Sequence, residues 1–142
     1  MKFWDSSAIV PLLVREPSSA AIHRMARTDA HFVVWRLTAA EVLSALWRRR
    51  RASELDESAG VAAEERLALL ERAWTCVDDL AHVDRRARRL LALHDLRAAD
   101  ALQLAAALVA CDEQPRLLPF VTLDRRLADA ARREGFGVLP AA

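Results

Sequence analysis

Short apolar runs alternate along this chain with stretches in which apolar residues recur every three or four positions. The first run, Lys2-Phe3-Trp4, ends in Asp5-Ser6-Ser7, and a helical pattern from Ala8 to Val14 begins at once. Pro17 stands at a helix start, and Ala21, Ile22, Met25 and Ala26 then share one helical face. His31-Phe32-Val33-Val34-Trp35 reads as a buried second strand. Thr38 opens the next helix, with Glu41 at the spacing of a capping box, and that helix ends in the basic run Arg48 to Arg51. Past a turn from Ser53 to Asp56, Val61, Leu67, Leu70 and Trp74 are the expected core contacts of a further helix.

The second half repeats the alternation. Cys76-Val77 forms the centre of a weak third strand, crowded by Asp78 and Asp79. Val83, Ala87, Leu90, Leu91 and His94 make a helical stripe from which Arg85, Arg86, Arg88 and Arg89 are largely excluded. The segment from Ala101 to Ala110 is apolar on nearly every side, which predicts a buried helix, and Asp100 stands at its entrance. After a loop carrying Pro115, Phe120 to Leu123 reads as a fourth strand followed by Asp124. Leu127, Ala130 and Ala131 give the last helix its inner face, Gly135 is placed to end it, and Phe136 to Leu139 is a short edge strand. Strands alternating with helices predict an α/β fold: a mostly parallel sheet covered on both faces, in a single domain spanning residues 1–142.

Charge and composition narrow the function classes. Net charge is +1, so no global field draws the protein to a polyanion, and any nucleic acid must be held locally. All but one of the 21 basic residues are Arg, a side chain whose fork fits phosphate. The two cysteines, Cys76 and Cys111, form no zinc spacing and are expected as buried thiols of a reducing compartment. Neither a signal peptide nor an apolar run of membrane-spanning length is evident, which places the expected location in the cytoplasm, away from membranes.

The informative residues are acids. Asp5 follows the first strand, Glu41 and Asp100 lie in first helical turns, and Asp124 follows the fourth strand. Each alone is explained as a cap or a partner of a helix dipole. Their shared placement is not, because all four open onto the same end of a parallel sheet. Carboxylates gathered there repel one another and hold each other's protons unless a cation intervenes. Oxygen ligands without Cys or His suit Mg²⁺ or Mn²⁺, ions that grip substrate phosphate.

Phe3-Trp4-Asp5-Ser6-Ser7-Ala8, Thr38-Ala39-Ala40-Glu41-Val42, Leu96-Arg97-Ala98-Ala99-Asp100-Ala101-Leu102 and Val121-Thr122-Leu123-Asp124-Arg125-Arg126-Leu127 together resemble a PIN domain. The variety most similar is the VapC-like toxin ribonuclease of bacterial toxin–antitoxin pairs. The resemblance implies a three-layer fold and a Mg²⁺- or Mn²⁺-dependent endoribonuclease acting on single-stranded RNA. Asp5, Glu41, Asp100 and Asp124 match the family's acidic positions, with Ser7 and Thr122 at the hydroxyl positions beside them. Gln103 departs from the pattern, since many relatives carry His soon after the third acid. Cleavage is expected to use a water whose pKa the metal lowers, and the resemblance implies products bearing a 5′-phosphate and a 3′-hydroxyl. Arg48 to Arg51, Arg97 and Arg125 are candidates for holding flanking phosphates.

A cognate antitoxin is the partner the resemblance implies, expected over an exposed apolar patch around Ile22, Met25, Leu43 and Trp47. A homodimer is also expected, with the last helix as one candidate face, Leu127 and Ala131 inward and Arg126 and Arg133 outward. Two other readings stay open: a housekeeping PIN nuclease of RNA processing, and a PIN-like binding module without catalysis. A response-regulator receiver is excluded because the only Lys is Lys2, and a haloacid-dehalogenase-type phosphatase because Ser7 stands where a second Asp is required.

Overall fold

The computed structural model describes residues 1–141. Five short strands, β1 (Lys2–Trp4), β2 (Phe32–Trp35), β3 (Thr75–Val77), β4 (Phe120–Val121) and β5 (Val138–Leu139), form one sheet in the order β3-β2-β1-β4-β5. Every neighbouring pair is parallel, with Phe3 opposite Val33, Trp4 opposite Val121 and Val34 opposite Cys76. The helices are α1 (Ser6–Leu13), α2 (Ser19–Arg27), α3 (Thr38–Arg51), α4 (Glu57–Ala73), α5 (Leu80–Leu93), α6 (Ala98–Ala110) and α7 (Arg125–Arg133). No described helix is long and apolar enough to cross a membrane.

Period-two alternation along the strands divides the interior into two cores, one on each side of the sheet. Phe3, Val33, Trp35 and Phe120 face α5, α6 and α7. Trp4, Val34 and Val121 face α1 to α4. In the first core Phe3 stacks on Phe120 at 5.3 Å between ring centroids. Helix α6 buries Ala101 and every residue from Gln103 to Leu108, as a helix apolar all round must. The three-layer α/β architecture expected from the alternation is the one observed.

Local expectations failed where packing outweighed pattern. The capping box does not form: Thr38 is already helical, Leu37 occupies the N-cap without a side-chain bond, and the Thr38 hydroxyl turns inward to accept from Gln103 Nε2 at 3.1 Å. Helix α2 begins at Ser19, two residues after Pro17. Val61 is 45% exposed, although Leu67 on the same helix is buried and Leu70 and Trp74 pack at the core's edge. Leu91 leaves the α5 stripe for solvent. The cysteines are not buried thiols: Cys76 is exposed on the short edge strand β3, and Cys111 is half-buried. Gly135 does end α7, in the left-handed region at φ +100°.

The two fates on the leucine-rich face of the second half give a direct check. Leu104→Ala should lower stability by about 2–5 kcal/mol, as a fully buried leucine does. Leu91→Ala should cost below about 1 kcal/mol. Urea denaturation of the two variants measures both, and equal costs would contradict this packing.

Candidate functional site

The chain runs from β1 outward to β2 and β3 on one side, then returns to β4 and β5 on the other. The order therefore reverses between β1 and β4, and a crevice opens beyond their carboxyl ends. Asp5 is the first residue past β1 and Thr122 the first past β4. The Asp5 amide donates to the Val121 carbonyl at 2.9 Å, so the two strand ends are tied at the point where they part.

Asp5 is 3% exposed and caps α1. Its Oδ2 accepts from Ser7 Oγ at 2.5 Å, from Thr122 Oγ1 at 2.9 Å and from the Ser7 amide at 3.3 Å. The same hydroxyls also receive backbone donors: Leu123 N–H on Ser7 Oγ at 2.9 Å, Asp124 N–H on Thr122 Oγ1 at 3.1 Å. Ser7 and Thr122 thus lock the carboxylate to the loop that carries Asp124.

Glu41, one turn into α3, has a bond on each oxygen. Ser6 Oγ donates to Oε2 at 3.2 Å and Gln103 Nε2 to Oε1 at 3.0 Å. Gln103 is fully buried on α6 and its amide nitrogen bonds Thr38 as well, while its Oε1 has no partner. That orientation is the one electrostatics selects, since a flipped amide would turn its oxygen toward a carboxylate. Asp100 lies in the first turn of α6. Asp124 caps α7, with Oδ1 accepting from the Leu127 amide at 2.9 Å.

All four acids line one cavity of about 560 Å³, together with Ser6, Ser7 and Arg48. Asp100 and Asp124 also border a second cavity of about 530 Å³, which Arg97, Arg125 and Arg126 complete. Of the candidates named from the sequence, the four acids, Ser7, Arg48, Arg97 and Arg125 are at this crevice; Thr122 is buried behind Asp5, and Arg49, Arg50 and Arg51 line neither cavity. Ser6, Gln103 as a partner of Glu41, and Arg126 were missed. The Ser-Ser pair after Asp5 was the available signal for Ser6; a buried Gln on an otherwise apolar helix was the signal for Gln103. The basic run divides: Arg49 pairs with Glu16, Arg50 pairs with Glu64 and covers the Trp47 ring, and Arg48 alone reaches the cavity.

The PIN domain family profile matches residues 2–133. The chain belongs to the PIN-domain family. It is similar to ribonuclease VapC46 of Mycobacterium tuberculosis, 39% identical over 140 residues that cover 96% of this chain and 95% of that protein. Ribonuclease VapC45 of the same species is 35% identical over 98% of this chain and 94% of its own. Two solved structures share the fold. VapC20 of Mycobacterium tuberculosis, described as a sarcin-ricin loop cleaving toxin, has a TM-score of 0.66 at 18% identity, covering 96% of each chain. FitAcB from Neisseria gonorrhoeae has the same score and identity over 97% of this chain and 96% of its own.

Electrostatics in this PIN domain follow from burying like charges together. Burial raises the Asp5 carboxyl above its usual range against the bonds from Ser7 and Thr122, and the Asp124 charge adds to the rise. Burial lifts Glu41 to about 7, opposed by Gln103 and Ser6 and assisted by Asp5 and Asp100. Burial, then Asp124 and Asp5, lifts Asp100 to about 6, while Arg97 and Arg126 pull the other way. Among the described residues no three His, Cys, Asp or Glu side chains form a ready-made metal cage. The acids instead line an open cleft. An all-oxygen set with room for water and excess negative charge fits a hard cation that keeps much of its hydration.

A carboxyl raised in the folded state binds a proton that the unfolded chain has already lost. Its stabilising share is complete below the unfolded value and disappears as pH rises through the folded one. Metal-free protein should therefore lose on the order of 2 kcal/mol of stability between about pH 5 and pH 7.5, a figure reduced for the partial exposure of Glu41 and Asp100. Glu41→Gln should flatten that slope. Urea titrations in a chelator at several pH values test it; a slope unchanged in Glu41→Gln would refute the assignment of the charge strain.

Proposed function

We propose that this PIN domain is a metal-dependent endoribonuclease that cuts single-stranded RNA and serves as the toxin of a toxin–antitoxin pair. The observation that carries the reading is the convergence of Asp5, Glu41, Asp100 and Asp124 on one crevice at the sheet's reversal point. The ribonuclease names of relatives 35–39% identical along nearly the whole chain support it.

Asp5 and Asp100, with Glu41 and Asp124, are the residues that would hold Mg²⁺ or Mn²⁺. When bound, such an ion supplies positive charge against phosphate oxygens and makes a water more acidic. The chain's own groups do the rest. Ser7 and Thr122 fix Asp5, and Ser6 and Gln103 fix Glu41, so the acids are positioned before substrate arrives. Arg48, Arg97, Arg125 and Arg126 attract the phosphate backbone to the two cavities. Water oxygen bonds to phosphorus, the bond from phosphorus to the 3′-oxygen breaks, and the products carry a 5′-phosphate and a 3′-hydroxyl.

Of the residues expected in an exposed antitoxin patch, not all are exposed. Ile22 is fully buried, and Met25 and Leu43 are largely packed into the second core. Trp47, 43% exposed with the Arg50 guanidinium 4.2 Å from its ring centre, is the remaining anchor and fits an aromatic contact. We propose a twofold dimer as well. In α7 Leu127 and Ala131 are buried while Arg126 and Arg133 are exposed. Light scattering on the purified protein should give twice 15.8 kDa.

Purified protein should cut RNA with Mg²⁺ or Mn²⁺ and stop when the ion is chelated. Asp5→Asn and Asp100→Asn should each lower the rate by on the order of 10³-fold, about 4 kcal/mol in the barrier, while leaving the fold intact. An Asp100→Asn protein that cuts as fast as the parent refutes the role. Expression alone should arrest growth, and co-expression of the cognate antitoxin should relieve it.

A further inference from the structure

The two cavities differ in chemistry and meet at the same pair of acids. Beyond the acids, serines and Arg48, the larger one is walled by Val10, Trp35, Leu37, Ala45 and Leu102, and Leu37 is exposed. The smaller has no large apolar wall: Arg97, Arg125 and Arg126 surround Ala99, Asp100 and Asp124. Asp100 and Asp124 therefore line both a room walled in part by apolar side chains and a cationic one.

Building on the nuclease reading, we propose that the crevice is two unlike subsites. The room beside Leu37 and Leu102 takes one unstacked nucleobase, and the room made by Arg97, Arg125 and Arg126 takes a phosphate from the other side of the cut. A volume of about 560 Å³ falls within the range that encloses a small organic ligand, roughly 300–1,000 Å³. A base face suits the aliphatic part of this lining, and the carboxylates, serines and Arg48 on the rest of it can meet the base's polar edge. Arg48 at the rim can pair with the phosphate or stack on the ring that enters. The arginine room offers guanidinium forks and no large apolar or aromatic wall. One base must leave its helix to occupy the first room, which explains a demand for unpaired RNA without any base-specific code.

Nuclear magnetic resonance on metal-free protein separates the two rooms without turnover. The four ribonucleosides should shift the methyl signals of Val10, Leu37 and Leu102 and leave the arginine side chains unmoved. Inorganic phosphate should do the reverse, shifting the side-chain N–H signals of Arg97, Arg125 and Arg126. Leu37→Asp, at an exposed rim position, should weaken nucleoside binding roughly tenfold and phosphate binding less than about twofold. The pair Arg97→Ala and Arg126→Ala should show the opposite split. Nucleosides that move no methyl in the first room, phosphate that moves no arginine, or both ligands moving one room overturns the proposal. RNA hydrolysis by the same preparation reports separately on the nuclease reading. Binding split as described without hydrolysis keeps the two subsites and removes the nuclease; hydrolysis without the split does the converse.

Discussion

Everything at the working end of this protein depends on burying the Asp5 carboxylate where β1 and β4 part. A buried charge is costly unless donors surround it, and here two hydroxyls and an amide converge on one oxygen. Those donors belong to the first turn of α1 and to the residue after β4, so satisfying one acid fixes the geometry of the loop that presents another. The same logic recurs at Glu41, which Ser6 and Gln103 hold from opposite sides of the sheet. What the donors do not remove is the repulsion among the acids, which with burial holds Asp5, Glu41 and Asp100 above their usual carboxyl range.

The helix termini act together with this arrangement. Asp5 and Asp124 both cap helices, and Asp100 lies in a first turn. The positive ends of α1, α6 and α7 therefore lie beneath the acids and offset part of their crowding. Capping and metal holding are not rival explanations for these residues. A side chain that caps with one oxygen keeps lone pairs for a second partner, as Asp124 does through Oδ1.

Much of this was legible in the residues themselves. The alternation of apolar runs with helical stripes gave the layer order, and the recurrence of acids just past strand ends gave the crevice, because both depend on local spacing. What could not be read depended on contacts across the fold. Thr38 looked like a cap and became a hydroxyl partner of Gln103, since a fully buried amide on α6 needed an acceptor. Ile22 was expected in an exposed apolar patch, but it is fully buried against the second core. Cys76 looked buried because strands usually are, yet β3 is the sheet's edge. Exposure is decided by strand order, and order is not written in periodicity.

The split of the interior by the sheet has a consequence for when the crevice becomes complete. Asp5 and Glu41 sit on elements packed into one core, while Asp100 and Asp124 sit on elements packed into the other. A nascent chain with only one layer docked presents half the acids and an incomplete crevice. The crevice is therefore complete only once both layers are packed on the sheet.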